Sequence, residues 1–198
     1  PENWAADPEN TLWARGPSFT LPAEMLRDNA LHASGLLVPK VGGPSVRPYQ
    51  PPGLWSDKGS AKYSPSKGEG LYRRSLYTYW KRGMPPPQMT ILNAPIRDAC
   101  IARRERTNTP SQALLLLNES EYVKAARSLA QNVLARNIKR KQQVELVYEI
   151  VTSKLPDKTE LAILSKLVED LQKRYGENPA LAEEICRGIN LKNAEEKA

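Results

Sequence analysis

One histidine and two cysteines in 198 residues exclude a good deal of chemistry. Cys100 and Cys186 lie far apart in sequence. The chain therefore holds no CxxCH haem attachment site, no zinc finger and no disulfide framework of the kind that staples small secreted domains. No run approaches 18 apolar residues, so no transmembrane helix is expected. No charged-then-apolar start marks a secretory signal. The chain begins at Pro1 rather than Met, which suggests a fragment or a processed chain; the missing signal in a fragment then says nothing about the parent. The length suits one large domain or two small ones, and we expect a single domain over 1–198.

What is present is unevenly spread. The formal net charge is +7, from 29 Lys plus Arg against 22 Asp plus Glu, and there are 17 prolines. Almost all of the prolines, most of the glycines and all four tryptophans precede Ser111, as does nearly all of the excess positive charge. Residues 1–109 therefore read as irregular, basic and aromatic-rich, and 110–198 as balanced and helix-forming. The boundary falls near Thr109-Pro110, inside one cooperating unit. In the rear part, Asn118-Glu119-Ser120-Glu121 reads as a capping box with Asn118 as N-cap. Tyr122, Ala125, Ala126, Leu129, Val133 and Leu134 then form one helical stripe. A second stripe runs through Val144, Val147, Tyr148 and Val151 and stops at Pro156. Asp157-Lys158-Thr159-Glu160 opens a third helix through Leu161, Leu164, Leu167, Val168 and Leu171, with Gly176 as its left-handed cap. Asn178-Pro179 opens a last one to about Arg187. Such short-looped amphipathic helices predict a small bundle. Thr109-Pro110 has the same N-cap form and starts a leucine helix, apolar nearly all round and so expected at the centre of the core.

The front part shows one clear helix over Pro22–Ser34, with Leu26, Ala30, Ala33 and Leu37 inward and Gly35 ending it. Residues 71–82 are ambiguous between helix and strand. Gly83 and Pro85 follow as a stop and favour the helix. Residues 39–55 read as extended chain with turns, and 56–68 as a mobile surface loop.

Three strings carry a resemblance. The first runs from Gly42-Gly43-Pro44-Ser45-Val46-Arg47-Pro48-Tyr49-Gln50 to Pro51-Pro52-Gly53-Leu54-Trp55. The second runs from Tyr72 to Arg82 and on to Pro85-Pro86-Pro87-Gln88-Met89. The third is Arg103-Arg104-Glu105-Arg106-Thr107-Asn108-Thr109-Pro110-Ser111-Gln112-Ala113-Leu114. Together they closely resemble the planctomycete-type PSD-one family. This is a C-terminal domain of unknown function found in proteins of Planctomycetes and Verrucomicrobia that carry a cytochrome-c-like module upstream. Asp7-Pro8-Glu9-Asn10 and the helix Leu21–Asp28 also look like the family. The motifs span roughly residues 7–135, and the tail after Tyr175 departs from the leucine-rich ending of the pattern. The resemblance implies a periplasmic or cell-surface setting and a link to polysaccharide degradation. It implies no catalytic residues. Haem c is expected only in an upstream module, and no cofactor in this chain.

The candidate binding residues are Arg73, Arg74, Tyr77, Trp80, Arg82, Arg103, Arg104 and Arg106 of the basic strip 71–106, with Arg47 and Tyr49 beside it. Guanidinium groups can grip carboxylates or sulfates in pairs while the rings stack on a flat ligand. The competing use is internal: arginines pair with carboxylates and hydrogen-bond the carbonyls of irregular loops. Basic plus aromatic also fits nucleic acid, but an exported parent argues against it. Asp28 and His32, four apart on one helix face, could begin acid–base machinery or be a local helix pair. Met84 and Met89 flank Pro85-Pro86-Pro87 and could serve as axial ligands to a partner's haem or simply fill gaps. Cys100 and Cys186 could form a disulfide or stay as thiols. The expected fold is mainly α, with a loop-rich, Pro- and Trp-rich front half packed on a small C-terminal helical bundle and a short strand or two. The expected function is a non-catalytic structural or interaction module of an exported, haem-c-containing multidomain protein, docking on the upstream domains of the same polypeptide. The alternative is binding of anionic polysaccharide, or a contribution to its degradation, through the basic strip. An enzyme in its own right would rest on Asp28 and His32 alone.

Overall fold

The computed structural model describes residues 6–14, 16, 19–54 and 63–186. The fold is mainly α-helical. Among the described residues there are no β-strands, only isolated bridges joining Val38 to Arg73, Val46 to Thr78 and Lys81 to Met84. No described helix is long and apolar enough to cross a membrane.

Helix α1 (Ala23–Ala33) starts after Pro22, whose carbonyl accepts the Leu26 N–H at 2.9 Å. It ends at Ser34 and Gly35, the latter at φ +74°, where a glycine has no Cβ penalty. The Ser34 carbonyl then accepts from Ser128 Oγ at 2.9 Å and Asn132 Nδ2 at 3.0 Å, tying this end of α1 to a later helix. The most buried face is Ala23, Arg27 and Leu31, at steps of four. This differs by one residue from the expected face: Leu26 and Ala30 only flank the core, and an arginine occupies the centre of the stripe.

Residues 71–82 do not form an α-helix. Two short 3-10 turns, Gly68–Leu71 and Ser75–Tyr77, leave 72–74 and 78–80 outside any helix. The Val38 N–H donates to Tyr72 O, and Val46 exchanges bonds with Tyr77 and Tyr79. These cross-chain bonds satisfy the irregular 38–46 segment, which a helix over 71–82 could not do. Part of the 56–68 loop lies outside the described residues. Within 63–68, Ser66 is bonded to Arg47, and the Tyr63 hydroxyl donates to Pro48 O.

Pro86 and Pro87 lead into the short helix α2 (Pro87–Ile91). Helix α3 (Pro110–Asn118) starts at the expected N-cap Thr109, which forms a capping box, Thr109 Oγ1 accepting from Gln112 N and Gln112 Oε1 from Thr109 N. Its place is not the expected one. Gln112 is its buried residue, Leu115 only touches the core, and Leu114, Leu116 and Leu117 face outward. Helix α4 (Ser120–Leu134) is capped by Glu119, not Asn118, because the Glu119 carboxylate accepts from the N–H groups of Glu121 and Tyr122. Asn118 closes α3 instead, donating to Leu114 O. The core cluster is Ala23, Met89, Leu92, Ala94 and Tyr122, contributed by α1, α2 and α4, with Leu26, Ala30, Trp80 and Leu115 around it.

Helices α5 (Arg140–Thr152), α6 (Lys158–Glu177) and α7 (Pro179–Cys186) follow, each packed on its predecessor, with α5 also against α1. None of the three holds a fully buried residue. The Asp157–Glu160 capping box is formed. Gly176 is helical rather than a left-handed cap. α6 runs on to Glu177 and stops at Asn178, which the following Pro179 pushes out of the helical region.

Candidate functional site

The front half is organised by arginines, and the most important one is absent from the basic strip. Arg27 is 2% exposed and uses every donor of its fork. Nε donates to Glu121 Oε2 at 2.9 Å and Nη2 to Glu121 Oε1 at 2.6 Å. Nη2 also reaches Leu71 O, and Nη1 reaches Arg73 O and Ser75 Oγ. A paired carboxylate plus filled donors is the condition under which a buried guanidinium is tolerated. The Asp28 carboxylate completes this hub by accepting from both the N–H and the hydroxyl of Ser75 at 2.7 Å. Asp28 is thereby committed to the 3-10 turn, while His32 is exposed; the acid–base reading of the two is not supported.

Arg73 is the second scaffold arginine. It is buried, its Nη2 donates to Lys40 O at 2.9 Å and Gly42 O at 2.5 Å, and its Cζ sits 3.9 Å from the centre of the Tyr77 ring. The Tyr77 hydroxyl accepts the Gly42 N–H. Arg73 and Tyr77, expected as ligand-binding residues, are turned to the protein's own loop because that loop offers unpaired carbonyls within reach. The signal for Arg27 was also in the sequence. Ala23-Arg27-Leu31 and Glu121-Ala125-Leu129-Val133 are two apolar stripes at steps of four, each with one charge, and the charges are opposite.

Of the other candidates, Trp80 is half-buried against the core and the rest are exposed. Arg47 stacks over Tyr79 at 5.0 Å and Arg97 over Trp80 at 4.6 Å, with Trp80 Nε1 donating to Ile96 O. Tyr49 is partly open, its carbonyl taken by Gln88. Arg74 lies 3.9 Å from Asp28, and Arg82 3.8 Å from Asp98. Arg104 donates to Glu24 at 2.8 Å, Arg106 stacks over Phe19 at 4.6 Å, and Arg103 projects into solvent. Cations stacked on rings keep their edge N–H groups available. Arg104 and Arg106 share a cleft of about 70 Å³ between the approach to α1 and the loop before α3.

Among the described residues no group of three His, Cys, Asp or Glu side chains could hold a metal ion. Met89 is a core residue and is not displayed to a partner's haem; gap-filling is its use. Cys100 and Cys186 are free thiols. Burial raises the Tyr122 hydroxyl well above the usual tyrosine range and pushes Tyr63 up to about 12, against the lowering influence of Arg47. Burial also raises the Glu119 carboxyl, partly offset by the N–H groups it caps. These shifts follow packing and mark no reacting group.

No curated protein and no solved structure matches the chain. The family described as "PSD1: Protein of unknown function (DUF1553)" matches residues 1–168, a span that covers the arginine hub, the cleft and the first half of α6. The chain belongs to that family.

Proposed function

We propose that the chain is a non-catalytic interaction module of an exported multidomain protein with a haem c module, docking on the neighbouring domains of that polypeptide. The observation that carries the reading is α3, whose Leu114, Leu116 and Leu117 are 60, 40 and 74% exposed. Fully burying a leucine is worth about 1.5–3 kcal/mol, so three left in water are a standing drive toward a partner. Ile163, Leu167 and Leu171 of α6 repeat the pattern at steps of four. The exported, haem-bearing parent comes from the resemblance of the three strings. The test is association in trans between this chain and the upstream domains of the parent. Leu114→Glu with Leu117→Glu should leave the chain's own melting temperature unchanged and abolish association. Wild-type chain without affinity, or undiminished binding by the double variant, would sink the reading.

A second reading, binding of anionic polysaccharide, is favoured by the exposed Arg47–Tyr79 and Arg97–Trp80 stacks. It predicts salt-sensitive binding to sulfated or uronic glycans. Arg47→Ala or Arg97→Ala should weaken it about five-fold or more, the scale of a lost charge-assisted contact. Binding at background for the wild-type chain would eliminate it.

A further inference from the structure

The cleft beside Arg104 and Arg106 is used neither by the scaffold nor by the leucine face of α3. Its lining has an apolar part, with Leu21, Leu26 and Leu92, and a polar part that includes Arg104, Arg106 and Thr107. Hydrogen-bond accounting at Thr107 defines what that polar side offers. Thr107 Oγ1 accepts from Asn93 Nδ2 at 2.6 Å and from Gln112 Nε2 at 2.9 Å. Gln112, 7% exposed, is locked in this orientation: its Oε1 accepts the Thr109 N–H and its Nε2 also donates to Ile91 O. A hydroxyl has two acceptor positions and one proton. With both acceptor positions filled, the Thr107 O–H is left as a donor.

Arg106 adds to it. Its guanidinium face lies on Phe19, and no carboxylate among the described residues pairs with its edge. Arg104 spends one nitrogen on Glu24 and keeps the others. Glu105 also lines the cleft, so with Glu24 the two arginines are balanced in formal charge. The cleft is therefore lined by several donors without a strong field, which suits a single carboxylate rather than a polyanion.

We propose that this cleft binds a small monocarboxylate with an aliphatic body. The carboxylate accepts from the Arg106 edge and the Thr107 hydroxyl with Arg104 beside them, and the aliphatic part lies on Leu21, Leu26 and Leu92. The probe is 4-methylpentanoate, titrated into the full chain and followed by amide and side-chain NMR. Saturable shifts are expected at Leu21, Leu26, Leu92 and residues 104–107. The isosteric 4-methylpentanamide, acetate and glucuronate should each bind about ten-fold more weakly, since each lacks either the charge or the apolar body. Arg106→Gln should weaken the pentanoate about ten-fold, while Arg82→Gln, beside Asp98, should leave it unchanged. No saturable shift in the cleft, equal binding of the amide, equal binding of glucuronate, or equal weakening by Arg82→Gln would each overturn the assignment. Failure of the glycan or docking experiments leaves this result untouched, because neither Arg47, Arg97 nor Leu117 lines the cleft.

Discussion

Replacing Glu121 by alanine should be the most damaging single change in the front half. It deletes the carboxylate that takes Arg27 Nε at 2.9 Å and Nη2 at 2.6 Å. The guanidinium, 2% exposed, would then keep Leu71 O, Arg73 O and Ser75 Oγ as hydrogen-bond partners, with the nearest carboxylate, Asp28, only at 3.8 Å from Nη1. Breaking a buried pair in this way costs about 3–5 kcal/mol, mostly the penalty of an uncompensated charge. Against a total of about 5–15 kcal/mol for a domain, that is about a fifth or more of the stability. At about 2–4 °C per kcal/mol for a chain of this size, the melting temperature should fall by something on the order of 6–20 °C. The loss should also spread, because Arg27 holds segment 71–75 on α1 and Arg73 in turn holds the loop at 40–42. Thermal and urea unfolding by circular dichroism measures it. The control is Arg74→Ala one segment away: its side chain is 54% exposed and 3.9 Å from Asp28, so the loss should stay below about 1 kcal/mol. A Glu121→Ala variant within about 1 kcal/mol of wild type, or an equal cost for Arg74→Ala, would refute the reasoning.

Two further outcomes follow from the same packing. Arg73→Lys keeps the charge but loses the fork that spans Lys40 O and Gly42 O over the Tyr77 ring, so amide exchange over 40–46 should accelerate while Arg47→Lys leaves it alone; equal protection in both variants would contradict this. Tyr63, pushed up to about 12 by burial, has a folded pKa above its ordinary 10.0, so its stabilising share is complete below pH 10 and is lost as pH rises toward 12. Tyr63→Phe should flatten that alkaline loss, read as unfolding free energy against pH, and an unchanged slope would refute it.

The parts of the fold legible in the sequence are those settled within four residues. Thr109 caps α3 and Asp157 with Glu160 forms its capping box because every atom involved is local. Near misses have the same origin. Asn118 and Glu119 both could cap α4, and the choice fell to Glu119 because Asn118 was still inside α3 and bonded to Leu114 O. The hub is of another kind: Glu121 is 94 positions from Arg27, and the carbonyls that complete it sit more than 40 away. The leucine helix shows a different limit. An apolar circumference says that a helix can be buried on any side, and only the packing of α1, α2 and α4 showed that Leu115 alone was needed.

The same partition decides what a mutation in the basic strip can report. An arginine goes inward where irregular chain leaves carbonyls unpaired, as Lys40, Gly42 and Pro44 do around Arg73. It stays outward where an aromatic ring takes its face and no carboxylate among the described residues takes its edge, as for Arg47, Arg97 and Arg106. Truncating Arg73 would unfasten the 40–46 loop and, through it, the surface that carries Arg47, so any ligand would be lost with the loop. Binding lost in Arg73→Ala is therefore a folding result. Binding lost in Arg47→Ala, Arg97→Ala or Arg106→Gln, with the melting temperature unmoved, is a recognition result, and these three separate the glycan surface from the cleft.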